Sequence, residues 1–354
     1  MYNMKRYYNI LLWKFYYRYK CLNDTDETGE YSFAQKVLLF MNITIVNIFG
    51  EYLTPERAQE NIEKSLGGVS DIIYKALTND KPCMIARYGA NEQRIVANYL
   101  SIVNPHKNVF NSIIGRKPFW WWNKMLCKEL KSNAGFFPND TSHVEKFSRL
   151  MLEDTKQLDV LLTWFGWEPL IIGGGASIYL VSLYEAEPWW QSNPWTRCLR
   201  GKRVLVIHPF AELIESQYKR RLFLFQNKDI LPEFDLVTIK AVQSIAGECD
   251  NFSNWFEALD WMKSEMDKVD YDIALIGCGA YGFCLAAHAK RHGRKAFHMG
   301  GVLQLLFGIK GNRWEDKNYH PIYDYTSLFN EYWVKPGDEY KPKGAKNVEN
   351  ECYW

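Results

Sequence analysis

The sequence predicts an α/β protein: a Rossmann-like, mainly parallel sheet with helices on both faces, preceded by an extra N-terminal helical segment. Short apolar runs rich in Val, Ile and Leu alternate with longer segments that repeat apolar residues at helical spacing. Glycine-rich turns join several of these runs to the helices that follow. Strands that alternate with helices form parallel sheets covered on both faces, because each crossover helix packs back onto the sheet.

Composition narrows the class of protein. The 354 residues are 47% hydrophobic and 24% charged, which is ordinary for a globular chain with a large core. The net charge of +2 and the lack of a basic stripe predict no nucleic-acid partner. The cysteines form no C-x-x-C pair and follow no secretory signal, which favours a reducing cytoplasm. The aromatic content of 16% suits carbohydrate stacking as well as core packing.

The N-terminal extension, residues 1–50, differs from the rest of the chain. Its first twenty residues contain several Lys and Arg, no acidic residue and many aromatics, and the uncharged run Tyr7–Trp13 is too short to cross a bilayer. This segment suits the surface of an anionic membrane, or alternatively packs on the protein. Three alternatives thus stay open for residues 1–20: peripheral contact with the inner face of the membrane, a helix packed on the protein, and a frayed terminus. We expect a buried helix over Val37–Gly50.

The elements of the α/β domain, residues 51–354, follow in order. Apolar spacing predicts a helix over Pro55–Leu77. Cys83–Ala86 is a buried-strand candidate, and a helix starts near Asn91. We further predict five later strands and five later helices. The strands are Val160–Thr163, Val204–Ile207, Leu236–Ile239, Ile273–Ile276 and the short pair Ala296–Phe297. The helices are His143–Gln157, one after Gly173–Gly175, Ala211–Gln226, Phe252–Asp267 and Tyr281–His292. From about residue 319 the tail is expected to be irregular.

Ligands of an open parallel sheet bind beyond the carboxyl ends of its strands, where loop amides and helix N-termini converge. Arg87 ends the first predicted strand, and Glu92 lies in the first turn of the next helix. An arginine forks onto phosphate oxygens, and a glutamate serves as a base or as a metal ligand. The alternative is a structural Arg–Glu ion pair at the helix N-terminus.

The turn Gly277–Gly282 matches G-x-G-x-x-G after a strand and before a helix, with glycines at 277, 279 and 282. It fits a dinucleotide, the diphosphate of another nucleotide, or a purely structural tight turn. The next strand ends at His298 without an acidic residue for a ribose hydroxyl, which favours another nucleotide over NAD(P).

Further candidates also follow predicted strands. His208 and His298 stand where ligand-contacting residues occur, and Gly300-Gly301 offers loop amides to a phosphate. Asp270-Tyr271-Asp272 has the spacing of a D-x-D metal motif, but it precedes its strand. We therefore expect a turn role for it at the amino edge of the sheet.

The segment MIARYGANE resembles the R-F-G-D-G-E segment of GT-D fold glycosyltransferases. The blocks VLVIHPFAELI, AVQSIAGE and DIALIGCGAYGFCLAAHAKRHGRKAFHMGGVLQLLFGIKGNRW, with the closing ECYW, resemble proteins of bacterial capsular and surface polysaccharide clusters that share that fold. The resemblance covers about residues 55–354. It implies sugar transfer from a nucleotide-sugar donor, commonly a UDP-sugar, to a glycan or lipid-linked acceptor, with Mn²⁺ or Mg²⁺ held through an Asp-x-Glu motif.

Carried over residue by residue, Arg87, Gly89 and Glu92 match that motif, whereas Ala90 stands at its Asp and Asn91 at its second Gly. The resemblance thus implies that Glu92 holds a metal together with Asn91, or acts as a base without one. The glycine turn, His208, His298 and Gly300-Gly301 are expected to bind the nucleotide. Two alternatives stay open: an NAD(P)-dependent oxidoreductase acting on a nucleotide sugar, and a non-catalytic protein of a polysaccharide assembly complex.

Overall fold

The computed structural model describes residues 31–53 and 68–354, except 165, 174–176, 245–248, 250, 343 and 348–350. The expectations for residues 1–20 and for the first part of the predicted helix Pro55–Leu77 therefore lie outside the described residues. Within the described part of the chain, no helix is both long enough and apolar enough to cross a membrane.

The core is one seven-stranded sheet in which every neighbouring pair of strands is parallel, with the order β3-β2-β1-β7-β6-β4-β5. The strands are β1 Cys83–Ala86, β2 Val160–Thr163, β3 Tyr179–Ser182, β4 Arg203–His208, β5 Asp235–Lys240, β6 Ile273–Ile276 and β7 Lys295–His298. This arrangement confirms the predicted fold class.

Helices cover both faces of the sheet. They are α1 Phe33–Leu53, α2 Gly68–Thr78, α3 Ala90–Val103, α4 Val109–Ile113, α5 Lys124–Ala134, α6 Thr141–Thr155, α7 Glu168–Ile172, α8 Ala211–Tyr218, α9 Arg221–Leu224, α10 Trp255–Asp267, α11 Tyr281–Arg291, α12 Leu303–Leu306 and α13 Asn312–Glu315.

Strand periodicity divides the core into two layers. Met84 and Ala86 of β1 enter the cluster formed with α3, α5, α6, α10 and α11, whereas Cys83 and Ile85 enter the cluster formed with α2, α8 and the C-terminal tail. Successive side chains of a strand point to opposite faces, so a strand that is apolar throughout is buried on both sides. That pattern explains why the short apolar runs identified these strands so well.

Two of the predicted helices differ from the structure. The segment after Gly173–Gly175 forms the edge strand β3 instead of a helix; its first residue, Tyr179, is exposed because β3 has a neighbour on one side only. The predicted helix Ala211–Gln226 is broken into α8 and α9.

The N-terminal helix is present, but it is not buried as predicted. Leu39 and Ile43 of α1 are buried, whereas Phe33, with 83% of its surface exposed, and Phe40, with 46%, face outward. Because α1 lies at the periphery, one of its faces packs against the domain. On that face the Asn42 side chain donates hydrogen bonds to the carbonyl oxygens of Ser112 and Ile113.

The C-terminal tail is irregular, as expected, and it docks closely on the domain. Its described part contains three short 3₁₀ turns, and the side chain of the last residue, Trp354, is buried. Trp354 Nε1 donates a hydrogen bond to Tyr340 O at 2.8 Å. The Trp354 carbonyl accepts a hydrogen bond from the backbone N–H of Asn312 at 3.0 Å.

Candidate functional site at the carboxyl edge of the sheet

Adjacent strands bring most of the predicted site residues to one edge. The four strands β1, β7, β6 and β4 are neighbours in the sheet. Arg87 and Gly277 directly follow β1 and β6, and His298 and His208 are the last residues of β7 and β4. The connections from β4 and β6 leave in opposite directions, to β5 and to β7. An open α/β sheet has its ligand crevice where adjacent connections diverge in this way.

Arg87 lies on this edge with its guanidinium held by aromatic and backbone groups. Its carbon Cζ lies 4.5 Å from the ring centroid of Trp164, and its Nε donates a hydrogen bond to Tyr88 O at 3.2 Å. Trp164 Nε1 donates a hydrogen bond to the same carbonyl oxygen at 3.0 Å. Since stacking on an indole leaves the N–H edge of the guanidinium available for two oxygens of an oxyanion, this geometry suits phosphate recognition.

Arg87 also meets the loop after β7. Gly300 has a φ of +72°, and a Cβ at that position would lie 3.3 Å from Arg87 Cδ and Nη1. A side chain at residue 300 would therefore be strained and would press on the arginine. The glycine keeps the arginine and the loop in close contact.

Glu92 is buried, with 6% of its surface exposed, and its carboxylate folds back over the N-terminus of its own helix, α3. A Cβ at Gly89 would lie 2.0 Å from Glu92 Oε2, so the glycine leaves room for the carboxylate. Burial raises the pKa of Glu92, while hydrogen bonds from the backbone N–H groups of Glu92 and Asn91 and the charge of Arg87 act in the opposite direction. The structure thus shows Glu92 complementing its helix dipole, next to Arg87.

This arrangement does not fit a divalent cation well. Mg²⁺ and Mn²⁺ bind through several oxygen ligands, which include one or two protein carboxylates free to coordinate. Ala90 provides no side-chain oxygen, and the Glu92 carboxylate already accepts hydrogen bonds from helix amides. Metal binding by Glu92 with Asn91 stays a prediction, and the mechanism proposed below uses no metal.

Two of the three glycines in the turn after β6 are closely packed against other parts of the protein. A Cβ at Gly277 would lie 2.7 Å from Gly300 O and 2.9 Å from His208 Cδ2. At Gly282 it would lie 2.2 Å from the His298 ring. Gly279, which is exposed and has a φ of +58°, has a more open environment. Close internal packing therefore explains why residues 277 and 282 are glycine. The exposed backbone near Gly279 remains accessible to a ligand.

Both candidate histidines are buried and neutral. Burial lowers the pKa of His208 and of His298 to about 3. The Phe210 N–H donates to His208 Nδ1 at 3.0 Å, whereas His298 Nδ1 donates to Ile276 O at 3.2 Å. Neither imidazole supplies a positive charge to an oxyanion at neutral pH. Their observed role is to hold the loops after β4, β6 and β7 together.

The Gly300-Gly301 loop is covered on one side by the C-terminal tail. A Cβ at Gly301 would lie 2.2 Å from Tyr353 Cε1. The guanidinium of Arg313 lies over the same tyrosine ring, at 4.9 Å from its centroid. The tail thus becomes one wall of the candidate site.

Two neighbours of the site were missed from the sequence. Trp164 immediately follows the correctly predicted strand β2, so the rule for carboxyl ends could have identified it. Tyr353 is distant in sequence from every loop that it contacts, and no pattern in the sequence signals its position.

The D-x-D candidate lies at the opposite edge, as predicted. Asp272 Oδ2 accepts a hydrogen bond from the Arg203 N–H at 2.8 Å, and Asp270 pairs with Arg294 at 2.8 Å. These contacts tie β6 to β4 and to the start of β7, which is a turn role.

Comparison with known proteins gives one family match. Residues 182–306 match the family model named GT-D-like, described as the GT-D fold-like domain. Searches of curated proteins and of solved structures give no significant match. The matched segment contains β4–β7 with the loops of His208, Gly277 and Gly300, while Arg87 and Glu92 lie outside it. Residues 182–306 of this chain are therefore similar to the GT-D fold-like domain, and this similarity agrees with the parallel α/β sheet observed.

Proposed function

We propose that this protein is a glycosyltransferase that moves a sugar from a nucleotide-sugar donor, such as a UDP-sugar, to a glycan or lipid-linked acceptor in surface polysaccharide assembly. One observation carries the proposal: the GT-D-like segment forms a carboxyl edge whose Gly300 loop meets the arginine that follows β1. The edge from β1 to β4 spans three strand spacings, about 14 Å, which is enough for an extended nucleoside-diphosphate sugar.

In this proposal Arg87 binds the diphosphate. As the bond between the sugar C1 and the diphosphate oxygen breaks, negative charge develops on the leaving group, and a prepositioned guanidinium stabilises it. The contact with Trp164 holds the guanidinium in place, so little conformational entropy is lost when it binds the diphosphate.

Glu92 acts as the base in the same proposal. The acceptor hydroxyl gives its proton to the Glu92 carboxylate while its oxygen forms the new bond to C1, and the nucleoside diphosphate leaves with the bonding electrons. Burial raises the pKa of this carboxyl, which makes it a stronger base than an exposed glutamate.

Binding of the donor tests the role of the carboxyl edge. We expect UDP or a UDP-sugar to raise the midpoint of thermal unfolding, and Arg87→Ala to weaken binding by about tenfold or more, because a charge-assisted bond is lost. Arg294→Ala is the matched control, since Arg294 lies at the amino edge and should leave binding unchanged. If a panel of nucleoside diphosphates and nucleotide sugars gives no stabilisation, with or without Mn²⁺ or Mg²⁺, the proposal is wrong.

Transfer separates an enzyme from a non-catalytic binding protein. Glu92→Gln should keep donor binding and lose sugar transfer, with the folded state checked by circular dichroism. A variant that transfers sugar at the wild-type rate removes Glu92 from the mechanism. The oxidoreductase alternative gains no support from the glycine turn, because internal packing explains Gly277 and Gly282.

A further inference from the structure

A second cluster of chemically active side chains lies away from the carboxyl edge. His288 and His292 stand four residues apart near the end of α11, and Asp267 ends the neighbouring helix α10. Residues at this spacing lie on the same face of a helix. One ligand atom from each of the three residues lies within 4.8 Å of the other two.

The two imidazoles are oriented for coordination. The ring centroids of His288 and His292 are 4.1 Å apart, and His288 Nε2 lies 2.8 Å from Asp267 Oδ1. His292 Nδ1 donates a hydrogen bond to His288 O at 2.9 Å, which fixes its tautomer and leaves Nε2 as the lone-pair nitrogen. A hydrogen bond from the second ring nitrogen to a backbone carbonyl is the usual support of a metal-bound histidine.

The chemistry and exposure of the cluster favour a borderline transition metal. Two imidazole nitrogens and one carboxylate oxygen match zinc, whereas Mg²⁺ and Ca²⁺ prefer oxygen ligands alone. Ligand atoms of one tetrahedral zinc lie about 3.4 Å apart, so small rotamer changes would bring these three atoms into range. Asp267 and His292 are exposed, so a cation and a completing water can reach them.

The surrounding charges permit a cation here. Lys263 is the neighbouring cation that faces His288, and its ammonium pairs with Asp260 at 3.0 Å.

We propose that Asp267, His288 and His292 form a binding site for a divalent transition-metal ion of the Zn²⁺ class, which joins α10 to α11. Helix α11 begins at the carboxyl edge with Tyr281 and ends near His292, about 16 Å away along its axis. The site is therefore separate from the candidate glycosyltransferase site, and the ion acts on stability. This inference does not rest on the proposed function.

Zinc titration of the EDTA-treated, full-length protein tests the site. We expect calorimetry to show one zinc bound per chain through this cluster, and zinc, unlike Mg²⁺, to raise the midpoint of thermal unfolding. His292→Ala should lower zinc affinity by about tenfold or more, since loss even of an outer partner of a metal ligand costs that much. Asp267→Asn should lower it as well.

His320→Ala is the matched control, because His320 lies in the C-terminal tail, and it should bind zinc like the wild type. Circular dichroism confirms that each variant is folded. If the wild type binds no zinc, or if His288→Ala/His292→Ala binds it with wild-type affinity and stoichiometry, the site does not exist. Failure of nucleotide binding at the carboxyl edge would leave this result unaffected.

Discussion

The variant Gly282→Ala tests whether the glycine at this position is needed for internal packing or for binding a ligand. The new Cβ would lie 2.2 Å from His298 Cε1 and Nδ1, whereas ordinary van der Waals contact begins at 3.4 Å. The imidazole would have to retreat by more than an ångström. That movement stretches the hydrogen bond from His298 Nδ1 to Ile276 O, now 3.2 Å long. Because His298 is buried, water cannot replace the lost partner.

The expected loss of stability follows from these contacts. Overpacking of a core costs about 1–3 kcal/mol, and an unsatisfied buried polar group about 1–3 kcal/mol. Replacing a helical glycine with alanine raises the free energy of unfolding by about 1 kcal/mol, because less backbone entropy is lost on folding, and this offsets part of the cost. We therefore expect the free energy of unfolding to fall by about 1–5 kcal/mol.

Urea unfolding followed by circular dichroism measures this difference. Gly166→Ala is the matched control, because a Cβ at Gly166 meets nothing within 4 Å, and its effect should stay within about 0.5 kcal/mol. The penalty of Gly282→Ala should shrink when His298 is already alanine, since the two side chains then no longer clash. A variant that keeps wild-type stability but loses UDP binding would refute the packing argument and assign Gly282 to the ligand.

Three further predictions concern the buried groups. Burial raises the pKa of Glu187 to about 8 from 4.5, so the folded state keeps a proton that the unfolded state releases. The melting temperature should therefore fall as the pH rises from 5 to 8, and the Glu187→Gln variant should lack this pH dependence. His208 and His298 give the opposite pH dependence of stability. Because their pKa values in the folded state are about 3, the unfolded state binds protons first as the pH falls. The melting temperature should therefore drop below pH 6.5, and it should drop less steeply in His208→Gln. Trp354→Ala should lower the free energy of unfolding by about 3–5 kcal/mol in urea titrations, because it leaves a cavity at a buried site and removes the hydrogen-bond donor of Tyr340 O. A change below about 1 kcal/mol would show that the docked tail contributes little to stability.

The strands were predictable because their physical cause is local. β1 and β6 are apolar at every position and β2 at all but its last, since both faces of a parallel sheet are covered. The bounds of these three strands agree with the sequence prediction. β3 was missed because an edge strand with an exposed first residue loses that pattern. The exposed face of α1 was missed for a related reason: its sequence is apolar all round, and burial depends on what packs against it.

The sequence by itself determined the fold class, the placement of Arg87, Glu92, His208 and His298 after or near strand ends, and the family resemblance. These follow from periodicity and short motifs, which act over a few neighbouring residues. Only the tertiary structure decided what each group touches. It placed the Glu92 carboxylate over its own helix, the His298 ring against Gly282, and Tyr353 on Gly301. The His298 and Tyr353 contacts join separate segments of the chain, and even the local Glu92 contact depends on burial by the surrounding domain, so all three arise when the whole chain packs.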